Sequence, residues 1–261
     1  MRINPEKHPI DTLLRMDSTA SIWCQGCGIG VVLNAFVQAV KRVNLNPDKI
    51  CLLSTGIGCT GKIAEYLKFK SFNIADCNVV DYAVGLKLQE PKLKMVTFLN
   101  DADFIANGVD DFIQAFKKKK DIELILIYFN SYLYHIFMED KKIRQTKFSM
   151  NLSVNEILTP FNIPHLAKIC EAKYIARWTP LHPRRLMYSI NDAFNKQGFS
   201  MIEVVSPCLM YYMCEGKIRE AINRMELYEN GNSIIKHNEP TENLDLRQNK
   251  EIIIGKFVNK E

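Results

Sequence analysis

Short apolar runs alternate with longer amphipathic segments along most of the chain. The short runs are typical of buried strands, and the longer segments repeat apolar residues at helical spacing. Strands and helices in regular succession predict an α/β fold, with a mostly parallel sheet covered by helices on both faces. The predicted strands are residues 50–54, 94–99, 122–129, 174–178 and 201–205, and the predicted helices are residues 28–43, 63–69, 82–88, 105–116 and 186–194.

The remaining segments carry weaker patterns. No internal repeat or linker is visible, so we expect residues 1–261 to form a single domain. Residues 1–22 read as an irregular lead-in, and residues 135–160 are polar and predicted to be a loop. The charged stretch 226–250 is predicted to be a loosely packed tail, and residues 252–254 are a candidate for a late strand or an interface segment.

Candidate chemistry collects where the predicted strands end. Cys59, Asp101, Ser131 and Cys208 each follow a predicted strand, and ligands of parallel sheets bind at the carboxyl ends of the strands. After the first strand comes the glycine-rich turn Gly56-Ile57-Gly58-Cys59-Thr60-Gly61, followed by a predicted helix. Such a turn either offers backbone N–H groups to a phosphate or is simply a tight turn, and both interpretations stay open here.

The composition places few limits on function. The chain has 261 residues, 47% of them apolar, and its net charge is 34 − 29 = +5, which gives no reason to expect nucleic acid. No apolar run approaches the roughly 20 residues of a membrane span, and the first residues lack the apolar core of a signal peptide. We therefore expect a cytoplasmic protein. The lysines at 117–120 fit a solvated helix end or, less commonly, a docking point for an acidic partner.

In a cytoplasmic protein the eight cysteines are not expected to form disulfides. Cys51 belongs to an apolar run and Cys170 follows a helix-like run, and both fit small buried hydrophobes. The segment Trp23-Cys24-Gln25-Gly26-Cys27-Gly28 is different, because two thiols at this spacing can point at one metal centre. They also precede a predicted helix, whose dipole favours thiolates. Alone, the pair fits half a zinc site, a redox dithiol or half of an iron–sulfur site.

Taken together, the motifs resemble the β subunit of 2-oxoacid:ferredoxin oxidoreductases, of the 2-oxoglutarate or 2-ketoisovalerate type. The resemblance runs from about His8 to Phe257 and implies a thiamine-diphosphate-binding fold. Besides the cysteine segment and the glycine-rich turn, the supporting segments are Gly85-Leu86-Lys87-Leu88, Ala176-Arg177-Trp178-Thr179 and Ile202-Glu203-Val204-Val205-Ser206-Pro207-Cys208.

The resemblance implies a [4Fe–4S] cluster bound by four thiolates, the number such a cluster needs. Cys214 is a rival for the fourth position, but it lacks the Ser-Pro-Cys context. A zinc site built from the same four cysteines is the alternative. The implied cluster ligands are Cys24, Cys27, Cys59 and Cys208.

The resemblance also implies thiamine diphosphate and Mg²⁺, with oxygen ligands for the cation. The implied magnesium site uses Asp101, Ser131 in place of the family's second asparagine with Asn130 beside it, and the carbonyl group of Leu133. The implied cofactor contacts are Ile57, Gly58, Cys59, Thr60, Asp76, Ala102, Asp103, His135 and Ile136. The implied partners are an α subunit, ferredoxin, a 2-oxoacid and coenzyme A. The glutamate that activates the cofactor belongs to the α subunit, so no catalytic residue is assigned here.

The departures from the family pattern are concentrated at the expected diphosphate site. Asn100-Asp101-Ala102-Asp103 replaces Gly-Asp-Gly-Asp, and Asp76-Cys77-Asn78 replaces His-Gly-Arg. A lost charge-assisted hydrogen bond costs about 1.5–3 kcal/mol, so cofactor binding could weaken by on the order of a hundredfold. Three hypotheses follow: a working oxidoreductase subunit with an altered pocket, which we favour; a non-catalytic paralogue that keeps the cluster as an electron relay or structural element; and a zinc-bound structural protein.

Overall fold

The computed structural model describes most of the chain between Asp11 and Lys260. The described residues are 11–15, 23–24, 27–55, 59–74, 79–101, 104, 109–118, 122–131, 162–206, 233–246 and 251–260. In the described residues no helix is long and apolar enough to cross a bilayer.

One mixed sheet organises the described chain, with strand order β2-β1-β3-β4-β6-β5-β8-β7. The pairs from β2 to β5 are parallel, and β8 runs antiparallel to β5. The strands are β1 (Ile50–Thr55), β2 (Lys70–Ile74), β3 (Lys94–Asn100), β4 (Leu124–Asn130), β5 (Tyr174–Trp178), β6 (Phe199–Val205), β7 (Ile234–Ile235) and β8 (Ile253–Asn259). The helices are α1 (Gly28–Val43), α2 (Ile63–Tyr66), α3 (Val79–Gln89), α4 (Val109–Lys118), α5 (Ile163–Ile169) and α6 (Pro183–Phe194).

Helices cover both faces of this sheet, as the sequence predicts. On one face α1 and α6 pack against the sheet, and the Phe36 ring of α1 lies 5.5 Å from that of Phe98 on β3. On the other face α3, α4 and α5 do the same, and the Phe116 ring stacks 3.8 Å from that of Phe199 on β6. Successive residues of a strand point to opposite faces of the sheet. The central strands carry apolar residues on both faces, so a separate hydrophobic core forms on each side of the sheet.

The last strands extend the sheet beyond β5. Residues 252–254 were a candidate for a late strand, and the structure shows β8 starting at Ile253. Within the stretch expected to be loosely packed, residues 241–244 instead form a 3-10 helix, and Leu244 is fully buried. Its few apolar residues are too widely spaced for a periodic signal, so the sequence does not show this packing.

Candidate functional site

The carboxyl ends of β3 and β4 meet through Asp101 and Ser131. The Ser131 hydroxyl oxygen lies 2.7 Å and 2.6 Å from the two carboxylate oxygens of Asp101, and the Ser131 backbone N–H donates to Oδ2 at 2.9 Å. Asp101 is only 8% exposed. We call this pair the Asp101–Ser131 clasp. Carboxylate and hydroxyl oxygens are the kind of ligand that Mg²⁺ takes, so the donor chemistry fits the cation that the sequence predicts here.

The turn after β1 is tied to the end of β3, one residue before the clasp. Asn100 Nδ2 donates to Thr60 Oγ1 at 2.8 Å, and the Thr55 hydroxyl oxygen lies 3.4 Å from the same atom. Ser54 Oγ donates to the carbonyl oxygen of Gly61 at 3.0 Å. These buried bonds position the residue before Thr60, which is Cys59, at the same edge of the sheet as Asp101. Cys59 is exposed.

The cysteine-containing segment before α1 reaches this turn through Trp23. The indole N–H of Trp23 donates to the carbonyl oxygen of Cys59 at 3.0 Å, and the Trp23 ring lies 4.6 Å from that of Tyr66. The N–H of Cys27 donates to the carbonyl oxygen of Cys24 at 2.9 Å, which holds the backbones of the two cysteines together. Cys24 and Cys27 are partly exposed. Three of the four predicted cluster ligands therefore lie on two segments that are bonded to each other.

The N-terminus of α1 also contacts the end of β6. A Cβ atom on Gly28 would lie 2.3 Å from Ser206 Oγ and 2.4 Å from Pro180 Cγ, so only glycine fits there. Cys27, the N-cap of α1, is thereby held beside Ser206. The N–H of Ser206 donates to the carbonyl oxygen of Asn130 at 2.8 Å, which joins the ends of β6 and β4. Cys208 follows two residues later in the chain and lies outside the described residues.

Asn130 makes a hydrogen bond through its side chain as well as through its carbonyl group. Its Nδ2 donates to Glu203 Oε1 at 2.8 Å, and the side-chain amide is therefore engaged away from the clasp. Burial raises the pKa of Tyr128 well above its usual value, and the charges of Asp101 and Glu203 raise it further. Tyr128 consequently stays neutral between the two carboxylates throughout the physiological pH range.

Several predicted site residues lie outside the described part of the chain, so their predicted roles stay predictions. Among the residues that the structure does describe, no group of three or more His, Cys, Asp or Glu side chains is arranged to bind a metal ion. The predicted site residues outside the described ranges are Ile57, Gly58, Asp76, Ala102, Asp103, Leu133, His135, Ile136 and Cys208.

Three residues that connect the pieces of the site carry no predicted role: Trp23, Asn100 and Glu203. Glu203 had a usable signal, because a lone carboxylate inside an apolar strand needs a buried partner. The sequence signal for the Asn100 contact was weaker. It consisted only of the neighbouring Asp101, which marks the end of β3. The Trp23 contact spans 36 positions and leaves no local pattern.

Comparison with known proteins decides the family. Residues 56–204 match the model of the thiamine pyrophosphate enzyme C-terminal TPP binding domain. The chain is 31% identical over 260 residues to the 2-oxoglutarate synthase subunit KorB of Methanothermobacter marburgensis, covering 98% of this chain and 87% of that one. The chain belongs to the family of KorB and 2-oxoacid:ferredoxin oxidoreductase beta subunits.

Other KorB relatives agree with this assignment. The KorB subunit of Archaeoglobus fulgidus is 36% identical over 200 residues, covering 75% of this chain and 72% of the relative. The structure of the 2-oxoglutarate:ferredoxin oxidoreductase from Magnetococcus marinus superposes with a TM-score of 0.72 at 15% identity, covering 99% of this chain and 87% of that one. The second likeness shows the shared fold. The family resemblance and the thiamine-diphosphate-binding fold predicted from the sequence are thus confirmed.

Proposed function

We propose that this chain is the β subunit of a 2-oxoacid:ferredoxin oxidoreductase that converts 2-oxoglutarate to its acyl-CoA with an α subunit partner. Electrons would leave through a [4Fe–4S] cluster to ferredoxin. The names of the relatives support the reaction and the substrate. One observation carries the proposal: the Cys24–Cys27 segment, the Cys59 turn and the Asp101–Ser131 clasp meet at a single edge of the sheet.

The two halves of this edge suit two different groups. On one side, the clasp supplies oxygen ligands for Mg²⁺, with Asn130, Leu133 and the backbone around Ala102 proposed beside them. When bound there, thiamine diphosphate supplies the electron sink that a 2-oxoacid needs to lose CO₂. On the other side, Cys24, Cys27 and Cys59 are proposed to bind iron together with Cys208. In both halves the protein supplies a charge that suits the proposed group. The negative carboxylate of Asp101 suits a cation, and the positive end of the α1 dipole favours thiolates.

The clasp itself favours a second candidate function. Ser131 and Asp101, both proposed as magnesium ligands, are bonded to each other, so a cation would have to replace these contacts. Asp76, where the family has histidine, adds a further anion to the proposed diphosphate site. The alternative is therefore a non-catalytic paralogue that keeps the cluster as an electron relay or structural element.

The test is to co-express the chain with its partner subunit and purify the complex without oxygen. We expect about four iron atoms per chain, bound thiamine diphosphate with Mg²⁺, and reduction of methyl viologen that requires both 2-oxoglutarate and coenzyme A. A brown complex without thiamine diphosphate and without dye reduction would refute the enzymatic proposal and support the paralogue. A colourless complex that contains zinc would refute both.

Single cysteine variants test the proposed ligands. Cys24→Ser, Cys27→Ser, Cys59→Ser and Cys208→Ser should each lower the iron content of the complex. Cys51→Ala is the matched control, because burial raises the pKa of the Cys51 thiol inside β1 and makes it a poor ligand. Cys214→Ser should also keep its iron. Iron loss in Cys214→Ser but not in Cys208→Ser would reassign the fourth ligand.

A further inference from the structure

A buried ion pair lies in the sheet beneath the proposed site, and no role has been assigned to it. Arg177 on β5 and Glu203 on β6 stand directly opposite each other, and each is 1% exposed. Arg177 Nε donates to Glu203 Oε2 at 2.5 Å. Taking two charges out of water carries a desolvation cost that their attraction often fails to recover. An ion pair buried between two largely apolar strands therefore indicates a role other than stabilising the fold.

The remaining polar atoms of Arg177 and Glu203 bond to two different parts of the chain. Glu203 Oε1 accepts the hydrogen bond from Asn130 Nδ2 at 2.8 Å, at the end of β4. Arg177 Nη2 donates to the carbonyl oxygen of Leu244 at 2.9 Å, and Nη1 lies 3.4 Å from that of Ile253. Because a planar guanidinium engaged with three acceptors cannot rotate, Glu203 presents its second oxygen to Asn130 in a fixed place.

Asn130 links the fixed side chain of Glu203 to the Asp101–Ser131 clasp. Its side chain bonds to Glu203, its carbonyl group bonds to the N–H of Ser206, and it pairs with Val205 in the sheet. The next residue is Ser131, whose N–H and hydroxyl group bond to Asp101. The Asn130 carbonyl group and the Ser131 N–H belong to one peptide unit, so the side-chain contact of Asn130 directly adjoins the contact between Ser131 and Asp101.

We propose that Arg177 and Glu203 are positioning residues. They hold the side chain of Asn130, and through it they hold Ser131 against Asp101. The effect on metal binding rests on the proposed function, whereas the hold on Ser131 is a property of the polypeptide alone. Asn130, which the family resemblance places near the magnesium ion, is in this arrangement the link between Glu203 and Ser131.

An exchange of side chains tests the proposal, and its double variant keeps the net charge of the original chain. Asn130→Asp sets a second carboxylate against Glu203 and breaks the contact by repulsion. In the double variant Asn130→Asp with Glu203→Gln, the new amide can donate to Asp at 130 and still accept from Arg177. The double variant has the same net charge as the original chain and restores a hydrogen bond between positions 130 and 203, and it provides the test should the single variant fold poorly.

Two measurements on the complex with the partner subunit test, respectively, the positioning role and the proposed metal site on which its effect rests. The first is deuterium exchange of the peptide that contains the Ser131 amide. The second is the Kd for Mn²⁺, measured by electron paramagnetic resonance in the presence of thiamine diphosphate. Asp192→Asn is the control, because it breaks the contact between Asp192 and Lys256 on α6 and β8, away from Asn130.

In Asn130→Asp we expect exchange at Ser131 to rise by about tenfold or more, and the double variant to restore it to within about threefold. Asp192→Asn should leave this exchange unchanged. Exchange at Ser131 that is unchanged in Asn130→Asp, or not restored in the double variant, would overturn the inference. If the original complex binds no Mn²⁺ with thiamine diphosphate, the proposed function fails, while the exchange at Ser131 still decides the positioning role.

Discussion

Trp23 donates its indole N–H to the backbone carbonyl oxygen of Cys59, with 3.0 Å between the two atoms. This bond joins the segment that carries Cys24 and Cys27 to the turn after β1. The Trp23 ring also packs at 4.6 Å against Tyr66, which follows that turn. Trp23 therefore fixes the distance between two stretches of chain that must approach each other if their thiols are to share one cluster.

Trp23→Phe should lower the iron content of the complex. The substitution keeps a ring against Tyr66 but removes the donor to Cys59, and a typical hydrogen bond of this kind is worth about 1 kcal/mol. We expect a small fall in melting temperature together with a clear loss of iron per chain. The measurement is iron analysis of the anaerobically purified complex alongside a thermal melt.

Trp178→Phe is the matched control for that variant. Trp178 donates its indole N–H to Ser189 Oγ at 2.7 Å and is buried, so its substitution also removes one indole hydrogen bond. It should reduce stability by at least as much and leave the iron content unchanged. Equal iron loss in both variants would mean that Trp23 acts only through general stability.

Ser131→Ala should weaken metal binding at the Asp101–Ser131 clasp. The hydroxyl group lies within 2.7 Å of both Asp101 oxygens, and hydrogen bonds to charged groups contribute about 1.5–3 kcal/mol. If the hydroxyl group is a ligand or orients Asp101, the Kd for Mg²⁺ in the presence of thiamine diphosphate should rise by about tenfold or more. Isothermal titration calorimetry of the complex measures this directly.

The control for the clasp is Ser200→Ala on β6. Ser200 Oγ is buried and has no hydrogen-bond partner within the described structure, so its removal should be neutral or slightly stabilising. Metal binding should not change. A Kd for Mg²⁺ that is the same in both serine variants would show that the clasp is a structural contact.

Much of the fold could be predicted because its central elements repeat strong local patterns. The spacing of Val32, Phe36 and Val40 predicts α1 with the bounds that the structure shows, Gly28–Val43. Strand β2 could not be found in this way, since it lies at the edge of the sheet and its Phe72 is 47% exposed. An edge strand exposes part of its surface to water, so it lacks the apolar run that marks β1.

The candidate site was predictable only in part. Asp101 and Ser131 both follow strands, and the rule that parallel strands present their carboxyl ends at one edge brings them together. The bonds from Trp23 to Cys59 and from Asn130 to Glu203 were not predictable. Each spans tens of residues and depends on which way a side chain turns, which no local pattern records.

Stability at acidic pH should depend on Glu123, at the opposite end of the sheet. Burial raises the pKa of Glu123, but its hydrogen bonds and charge contacts with Lys87 and Lys94 outweigh this and hold the pKa below its ordinary value of 4.5. The carboxylate therefore stabilises the fold above pH 4.5, and this contribution is lost as the pH falls through the lowered pKa. Lys87 stays bonded to the carbonyl oxygens of Pro91 and Leu93 in either state.

Glu123→Gln should accordingly lower the free energy of unfolding at pH 7 by on the order of 1 kcal/mol, or about 2–4 °C in melting temperature. The difference from the original chain should shrink as the pH falls through the lowered pKa of Glu123 and vanish where this carboxylate is protonated in both the folded and the unfolded chain. Glu65→Gln is the control, because the Lys62–Glu65 pair is about half exposed and contributes little. A Glu123→Gln deficit that persists where Glu123 is protonated in both states would show that packing, and not charge, is responsible.

The two glycines at the start of α1 give the sharpest test of how the cluster segment is held. Gly28→Ala places a Cβ atom 2.3 Å from Ser206 Oγ, whereas a Cβ atom on Gly30 meets nothing within 4 Å. Overpacking of this kind costs about 1–3 kcal/mol, and glycine to alanine inside a helix gains roughly 0.5–1 kcal/mol. Gly28→Ala should therefore melt at a lower temperature and Gly30→Ala at a higher one.

The iron content separates this contact from ordinary packing. Because Gly28 holds the N-terminus of α1 against Ser206, Gly28→Ala should push Cys27 away from the chain that leads to Cys208, and the complex should carry less iron. Gly30→Ala is the same substitution two residues further along the helix and should keep its full complement. Full iron occupancy in Gly28→Ala, despite a lower melting temperature, would mean that the cluster does not depend on the approach of α1 to β6.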